Sequence, residues 1–533
     1  MRRSLFKRAF KRSPNQQYEH DTQESQESEI EFNIPIGLSL KENIENIKKR
    51  LGDPSDLIIR NLTILTKNHK CSILYISGLT DKKLVNDNIL KMMQSPTEQS
   101  DSEASQSASN QSGTDILETI YQQVIAITDT KKVQTLYEVI NALLSGNAVF
   151  ILEEVNTALV METVGSEERS IEEPQSEAVV RGPRTGFIES IDTNITLIRR
   201  ELKDPNLRFD VHEIGRRSKQ KLIVCSVAGI VNPDILNEVN RRVKTIDIDF
   251  SPDSGYVEQW IEDSFLSPFP QIMDTERPDR VIYSVLQGKV AILVDGSPFA
   301  LIAPVTFGDA LQSIEDYSQR WMIGTLLRLL RYLAIFISLF LPAIYVALTS
   351  YHPGMLPTKL AFSIAATREG VPIPSIFEAL LMAITFEILQ EAGIRLPKAI
   401  GATIGIVGGI VIGDVAVSAG IVGPAMVIVT SLTAIASFTT PNYSFATGLR
   451  VLRFALIAAA SVLGLYGIIL VFIMMCIHLV NLKSIGVPYT GPFAPYFLGD
   501  LKNILIRSPI MTLKKRPPSL EPRDIKRQDD GGQ

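Results

Sequence analysis

Three uncharged stretches constrain this chain more than anything else in it. Residues 332–358, 415–449 and 454–482 contain no Lys, Arg, Asp or Glu. Each is long enough to hold the roughly 20 apolar residues that cross about 30 Å of hydrocarbon. In lipid only helices and closed barrels satisfy the backbone, and unbroken runs of this length predict helices rather than barrel strands. The function therefore has to work in or across a bilayer. The expected fold class is a membrane protein: an N-terminal α/β soluble region of two similar units, followed by an α-helical transmembrane domain.

A net charge of −5 and 45% hydrophobic residues look ordinary for a globular protein. They average a polar first 320 residues with an apolar last third. Residues 1–33 read as a disordered tail: Met1–Arg12 holds six Lys/Arg and no acid, and Ser13–Glu31 stays polar, with no apolar core for a signal peptide. Soluble unit 1 is expected over 34–163, with a flexible Ser-rich insert at 95–113. A Glu-rich linker covers 164–178 and unit 2 covers 179–320. The helical transmembrane domain follows at 321–482, then a C-terminal segment and basic tail at 483–533.

The two soluble units read as copies. Cys71–Gly78 and Leu222–Gly229 are apolar runs ending in a glycine turn, each the pattern of a buried strand. Helix-like segments follow at Asp81–Met93 and Pro233–Val243. Later come Gly146–Glu153 and Gly288–Asp295, each a glycine, a strand and an acid. Strands alternating with helices predict α/β units. Neither copy carries a phosphate-binding glycine loop, a dinucleotide fingerprint or a zinc-protease motif. The five histidines are scattered, and Cys71, Cys225 and Cys476 show no metal or redox spacing. A non-enzyme is expected, with no cofactor, no metal and no nucleic-acid partner.

In the last third, spans are expected at about 332–350, with a kink at Pro342, at 399–420, at 424–438 and at 452–481. Segment 375–395 carries Glu378, Glu387 and Glu391, of which the last two share a helical face. It reads as a re-entrant, interfacial or oligomer-buried element. Eight Lys/Arg against four acids after Asp500, with the basic N-tail, put both ends in the cytoplasm. That requires an even number of crossings, so four spans fit best and five rank second.

Within 399–420, Gly401, Gly405, Gly409 and Gly413 repeat every four residues and form a smooth helix face. Thr403, Val407, Val411 and Asp414 fall on roughly the opposite face. In a ring of subunits these would give polar, apolar and acidic rings, the parts of a gated cation path. The glycines could equally pack helices within one subunit, with Asp414 capping or pairing. Glu387 and Glu391 are either a second stretch of ion path or partners for Arg395 or another neighbour.

Several motifs are similar to one family. Arg181-Gly-Pro-Arg-Thr-Gly-Phe and Asn194-Ile-Thr-Leu-Ile-Arg-Arg are followed by Phe269-Pro-Gln, Thr275-Glu-Arg-Pro-Asp and Val294-Asp-Gly-Ser-Pro. Arg368-Glu-Gly-Val-Pro-Ile-Pro and Phe386–Pro397 complete the set. From about 34 to 510 the chain resembles the A-subunit family of bacterial spore germinant receptors, the GerA type. Asp316–Arg320 and Gln287–Lys289 depart from the family version.

The resemblance implies a non-enzymatic subunit of the spore inner membrane, with its soluble region and both termini on the core side. It implies a homo-oligomer, a permease-like B subunit, a lipoprotein C subunit and contact with membrane lipid. Nutrient sensing, largely through the B subunit, would then gate a cation channel. A paralogous branch associated with dipicolinate transport is also similar. Other classes stay open: a secondary transporter with a regulatory domain, or a non-conducting scaffold. Repetition in the soluble part but none in the membrane part favours the channel.

Overall fold

The computed structural model describes residues 34–64, 69–87, 117–118, 120–121, 130–165, 173–174, 176–177, 179, 181–395, 408–409 and 411–528. The chain forms two compact units. One comprises residues up to 172 with 187–212 and 221–228. The other comprises 173–186, 213–220 and 229 onward.

In the first unit, helix α1 (Leu40–Leu51) starts where the Ser39 side chain accepts from the Glu42 amide. It stops at Gly52, whose φ of 73° suits glycine. Leu40, Asn43, Ile47 and Leu51 form its buried stripe. Strands β1 (Leu57–Ile64), β2 (His69–Ile76), β3 (Thr130–Val133), β4 (Ala148–Leu152) and β5 (Ala158–Met161) make an antiparallel sheet in the order β1-β2-β4-β5-β3. Helix α2 (Leu136–Leu144) carries a Thr135–Glu138 capping box.

Alternate side chains explain the continuous apolar runs. Leu74, Ile76, Val149 and Ile151 pack on one side with α1 and α2. Ile73, Tyr75, Phe150 and Leu152 pack on the other with Val85, Leu117 and Ile120. A sheet covered on both faces needs no polar alternation. Helix α3 (Ile191–Glu201) also belongs to this unit. The Arg199 guanidinium on α3 grips Asp56 through two bonds, at 2.5 and 3.0 Å. Strands β6 (Leu207–Ile214) and β7 (Gln220–Val227) follow.

In the second unit come α4 (Pro233–Val243), α5 (Ser254–Ile261), β8 (Met273–Thr275), α6 (Pro278–Val285), β9 (Val290–Val294) and β10 (Ala300–Ala303). Asn232 caps α4, accepting from the Asp234 amide at 3.0 Å. β10 pairs antiparallel with both β8 and β9.

The helical region holds α7 (Trp321–Ser350), α8 (Thr358–Arg368), α9 (Ser375–Arg395), α10 (Pro424–Ser437), α11 (Tyr443–Leu463) and α12 (Leu465–Asn481), then α13 (Leu498–Leu505). Among the described residues, α7 and α11 are long and apolar enough to cross a bilayer, while α10 and α12 are shorter apolar helices. α7 begins at Trp321, well before the expected 332, and continues through Pro342.

The run 452–481, expected as one span, is two helices. They meet at Gly464, where φ is 59° and ψ −139°. α11 and α12 lie antiparallel about that turn: Phe445, near the start of α11, and His478, near the end of α12, both lie against Phe269, with ring centroids 5.9 and 6.2 Å away. A side chain at Gly464 would collide with His352 and is disfavoured by the backbone as well.

Candidate functional site

Charged groups inside the apolar helices are the candidate site, because each must be paired or used. Glu378, in the first turn of α9, is fully buried. Its carboxylate accepts from the Gly423 amide at 2.5 Å and lies 3.7 Å from the Arg368 guanidinium. Gly423 is the N-cap of α10, where free amides attract negative charge.

Two turns further along α9, Glu387 meets Arg450 at 2.8 Å and Arg453 at 3.4 Å. These arginines are buried and share one face of α11 by their i, i+3 spacing. Arg450 also donates to Thr447 at 2.6 Å and stacks 5.3 Å from the Tyr443 ring centroid. Glu391 is exposed and pairs with Arg395. The two glutamates expected on a common face thus have different partners.

The predicted path residues Thr403 and Val407 and the predicted packing residues Gly401 and Gly405 lie outside the described residues, as does the side chain of Val411. Residues Val411–Val415 form a π-helical turn in which Gly413 and Asp414 are exposed. A Cβ built on Gly409 or Gly413 meets nothing within 4 Å, whereas one on Gly408 would press on Leu389 at 2.9 Å.

Sequence reasoning missed the cations. Arg450 and Arg453 sit at the border of an uncharged run, and an i, i+3 pair of arginines facing the same way was the available signal. It also missed Asp316, which is buried against Arg328 and Arg331 of α7.

Elsewhere, the first unit holds a cavity of about 360 Å³ lined by Ser77, Gly78, Thr80, Asp81, Asp192 and Thr196, among others. The Asp81 carboxylate there caps its own helix, accepting from the Lys83 amide at 2.7 Å. Burial pushes the Cys71 thiol up to about 11 and the Cys225 thiol up to about 12, so neither is a nucleophile at neutral pH. Among the described residues no group of three or more His, Cys, Asp or Glu could hold a metal ion.

The arrangement around Glu387 makes a prediction. Glu387→Gln leaves Arg450 and Arg453 facing a neutral amide. Because Glu387 is 31% exposed, the expected loss is about 1–3 kcal/mol rather than the full cost of breaking a buried pair. Thermal melting of the purified full chain reads this, and adding Arg453→Leu should recover part of the loss. Unchanged melting with reduced cation release would instead assign Glu387 to an ion path.

A sequence model described as Bacillus/Clostridium GerA spore germination protein matches residues 45–519. The chain belongs to the GerA family. It is 46% identical to spore germination protein GerLA of Bacillus cereus over 91% of this chain and 96% of that protein. It is 43% identical to spore germination protein KA of Bacillus subtilis (strain 168), over 94% of this chain and 90% of that one. A crystal structure of the N-terminal domain of the A subunit of the Bacillus megaterium spore germinant receptor GerK3 aligns at 31% identity. That alignment covers 52% of this chain and 98% of that domain, with a TM-score of 0.40. Family membership and the apolar helices α7 and α11 together place this GerA-family chain with the membrane.

Proposed function

We propose that this chain is the A subunit of a spore germination receptor, acting without enzyme chemistry. In this reading it oligomerises in the spore inner membrane, beside permease-like B and lipoprotein C subunits. The soluble region and both termini face the core, and the assembly forms a nutrient-gated cation channel.

One observation carries the channel reading. Glu378, Glu387 and Glu391 each sit against an arginine, while Asp414 is exposed beside glycines that meet no neighbour. A glycine face on one side of this segment and an exposed carboxylate on the other suit contact with other copies around a hydrated axis.

The soluble region is proposed to be a duplicated unit. Strands β9-β10-β8 repeat the antiparallel arrangement of β4-β5-β3. Asn43 holds both backbone groups of Gly37 through its side-chain amide, at 2.8 and 2.7 Å. Asn194 does the same to Ile188, at 2.9 and 2.6 Å. Gly78 and Gly229, and again Gly146 and Gly288, take matching left-handed conformations.

Val411→Ala tests the channel. Trimming an apolar constriction lets it wet, so cells expressing this variant at normal level should leak monovalent cations without nutrient. Absence of a leak from well-expressed Val411→Ala and Val407→Ala would remove the pore assignment. A scaffold or a transporter would then be the better reading.

A further inference from the structure

Between α5 and β8, the loop Ser264–Pro268 presents Phe265 and Leu266 at 84% and 81% exposure, side by side. Adjacent apolar residues held this far out need an apolar partner. The loop is not slack. The buried Gln271 side chain clamps it, accepting from the Ser264 amide at 2.9 Å and donating to the Ser264 carbonyl at 2.7 Å.

The base of the loop is fixed to the membrane helices at several points. Ser267 Oγ lies 2.9 Å from His478 Nε2 on α12. Ser484, just after α12, donates to the Gln271 carbonyl at 2.5 Å. The Pro268 carbonyl fills the space where Gly448 of α11 lacks a side chain: a Cβ there would come within 2.1 Å.

These contacts set the level of the tip. On α12, Ile473, Ile477 and Val480 form one exposed apolar face that runs down past His478. The Ser267–His478 bond holds the loop beside the last turn of this helix, with Phe265 and Leu266 exposed next to it in the chain. Behind them, a cavity of about 290 Å³ is lined by Asp263, Ser264, His478, Asn481, Leu482 and Lys483. Asp263 is already bound by Arg242 at 2.8 Å, which leaves the exposed Lys483 to face headgroup phosphate. An apolar tip backed by a polar, cation-bearing pocket matches the boundary between acyl chains and headgroups.

We propose that the Ser264–Pro268 loop is a lipid anchor. Phe265 and Leu266 insert into the bilayer interface and fix the height of the second unit's soluble elements over the membrane. This rests on the reading of α11 and α12 as bilayer helices, and the test separates the two.

The full-length protein is placed in proteoliposomes of phosphatidylglycerol and phosphatidylcholine. Its two tryptophans, Trp260 and Trp321, are changed to phenylalanine. Single tryptophans are then introduced as Phe265→Trp, as Leu266→Trp or, on the exposed face of α12, as Met474→Trp. Acyl-chain-brominated lipid should lower emission at 265 and 266 about two-fold or more, with iodide in the water having little effect. Quenching by bromolipid at 474 combined with iodide access at 265 and 266 would overturn the anchor and leave the membrane reading standing. Silence at 474 as well would remove both. Protection from both quenchers, with disulfide cross-linking of Phe265→Cys between chains, would make a second copy the occupant and also overturn the proposal.

Discussion

Replacing Asp316 by asparagine is expected to cost about 3–5 kcal/mol and to deplete the chain from membranes. The carboxylate is 1% exposed and lies just before α7. It accepts two bonds from Arg331, both at 3.1 Å, and lies 3.3 Å from Arg328. Arg328 is fully buried, and its Nη1 donates to the Asn503 and Ile504 carbonyls near the end of α13. Carbonyls solvate a guanidinium but cannot neutralise it. Asparagine keeps the shape and removes the only formal negative charge in that cluster, leaving two cations in a dry site. Thermal melting of the detergent-solubilised full chain reads the loss. Arg331→Lys, which keeps the charge and loses the fork, should cost less. Wild-type melting of Asp316→Asn would show that the carbonyls suffice.

Asp56→Asn should be comparably damaging to the first unit, at about 3–5 kcal/mol. Arg199 is 1% exposed and is sandwiched between the Asp56 carboxylate and the Phe209 ring, whose centroid is 5.0 Å from its Cζ. With the carboxylate gone, the guanidinium keeps its desolvation cost and loses its counter-charge. Hydrogen exchange on the full chain should then show lost protection in both α3 and the Asp56 end of β1. Asp56→Leu combined with Arg199→Met should restore much of it, since an apolar pair of similar volume has no charge to strand. Full protection in the single variant would mean that the pair contributes little.

The sheet strands were legible because burial on both faces leaves a plain mark. Apart from Ser72, Cys71–Ile76 and Ala148–Leu152 are apolar on both sides of the sheet, so a short continuous run between turns had few other readings. Helix Pro233–Val243 was equally clear from its Asn-Pro start. The helical third was less readable, for two physical reasons. Hydropathy measures the solvent a segment prefers, not where it bends. The turn at Gly464 lies among Leu463, Leu465 and Tyr466, so nothing polar marks it, and only the left-handed φ betrays it. Ion pairs are a property of distance in space, and Glu387 and Arg450 are 63 positions apart along the chain. The sequence displays both charges without linking them.

The antiparallel pair of α11 and α12 has a mechanical consequence. Phe269, buried at 2% exposure, touches the outgoing leg through Phe445 and the returning leg through His478. The two legs are joined only at the far end, by a single glycine. Such an arrangement resembles a pair of tongs gripped at the open end. A displacement of Phe269 loads both arms together, and Gly464 is the one place where they can change their opening angle.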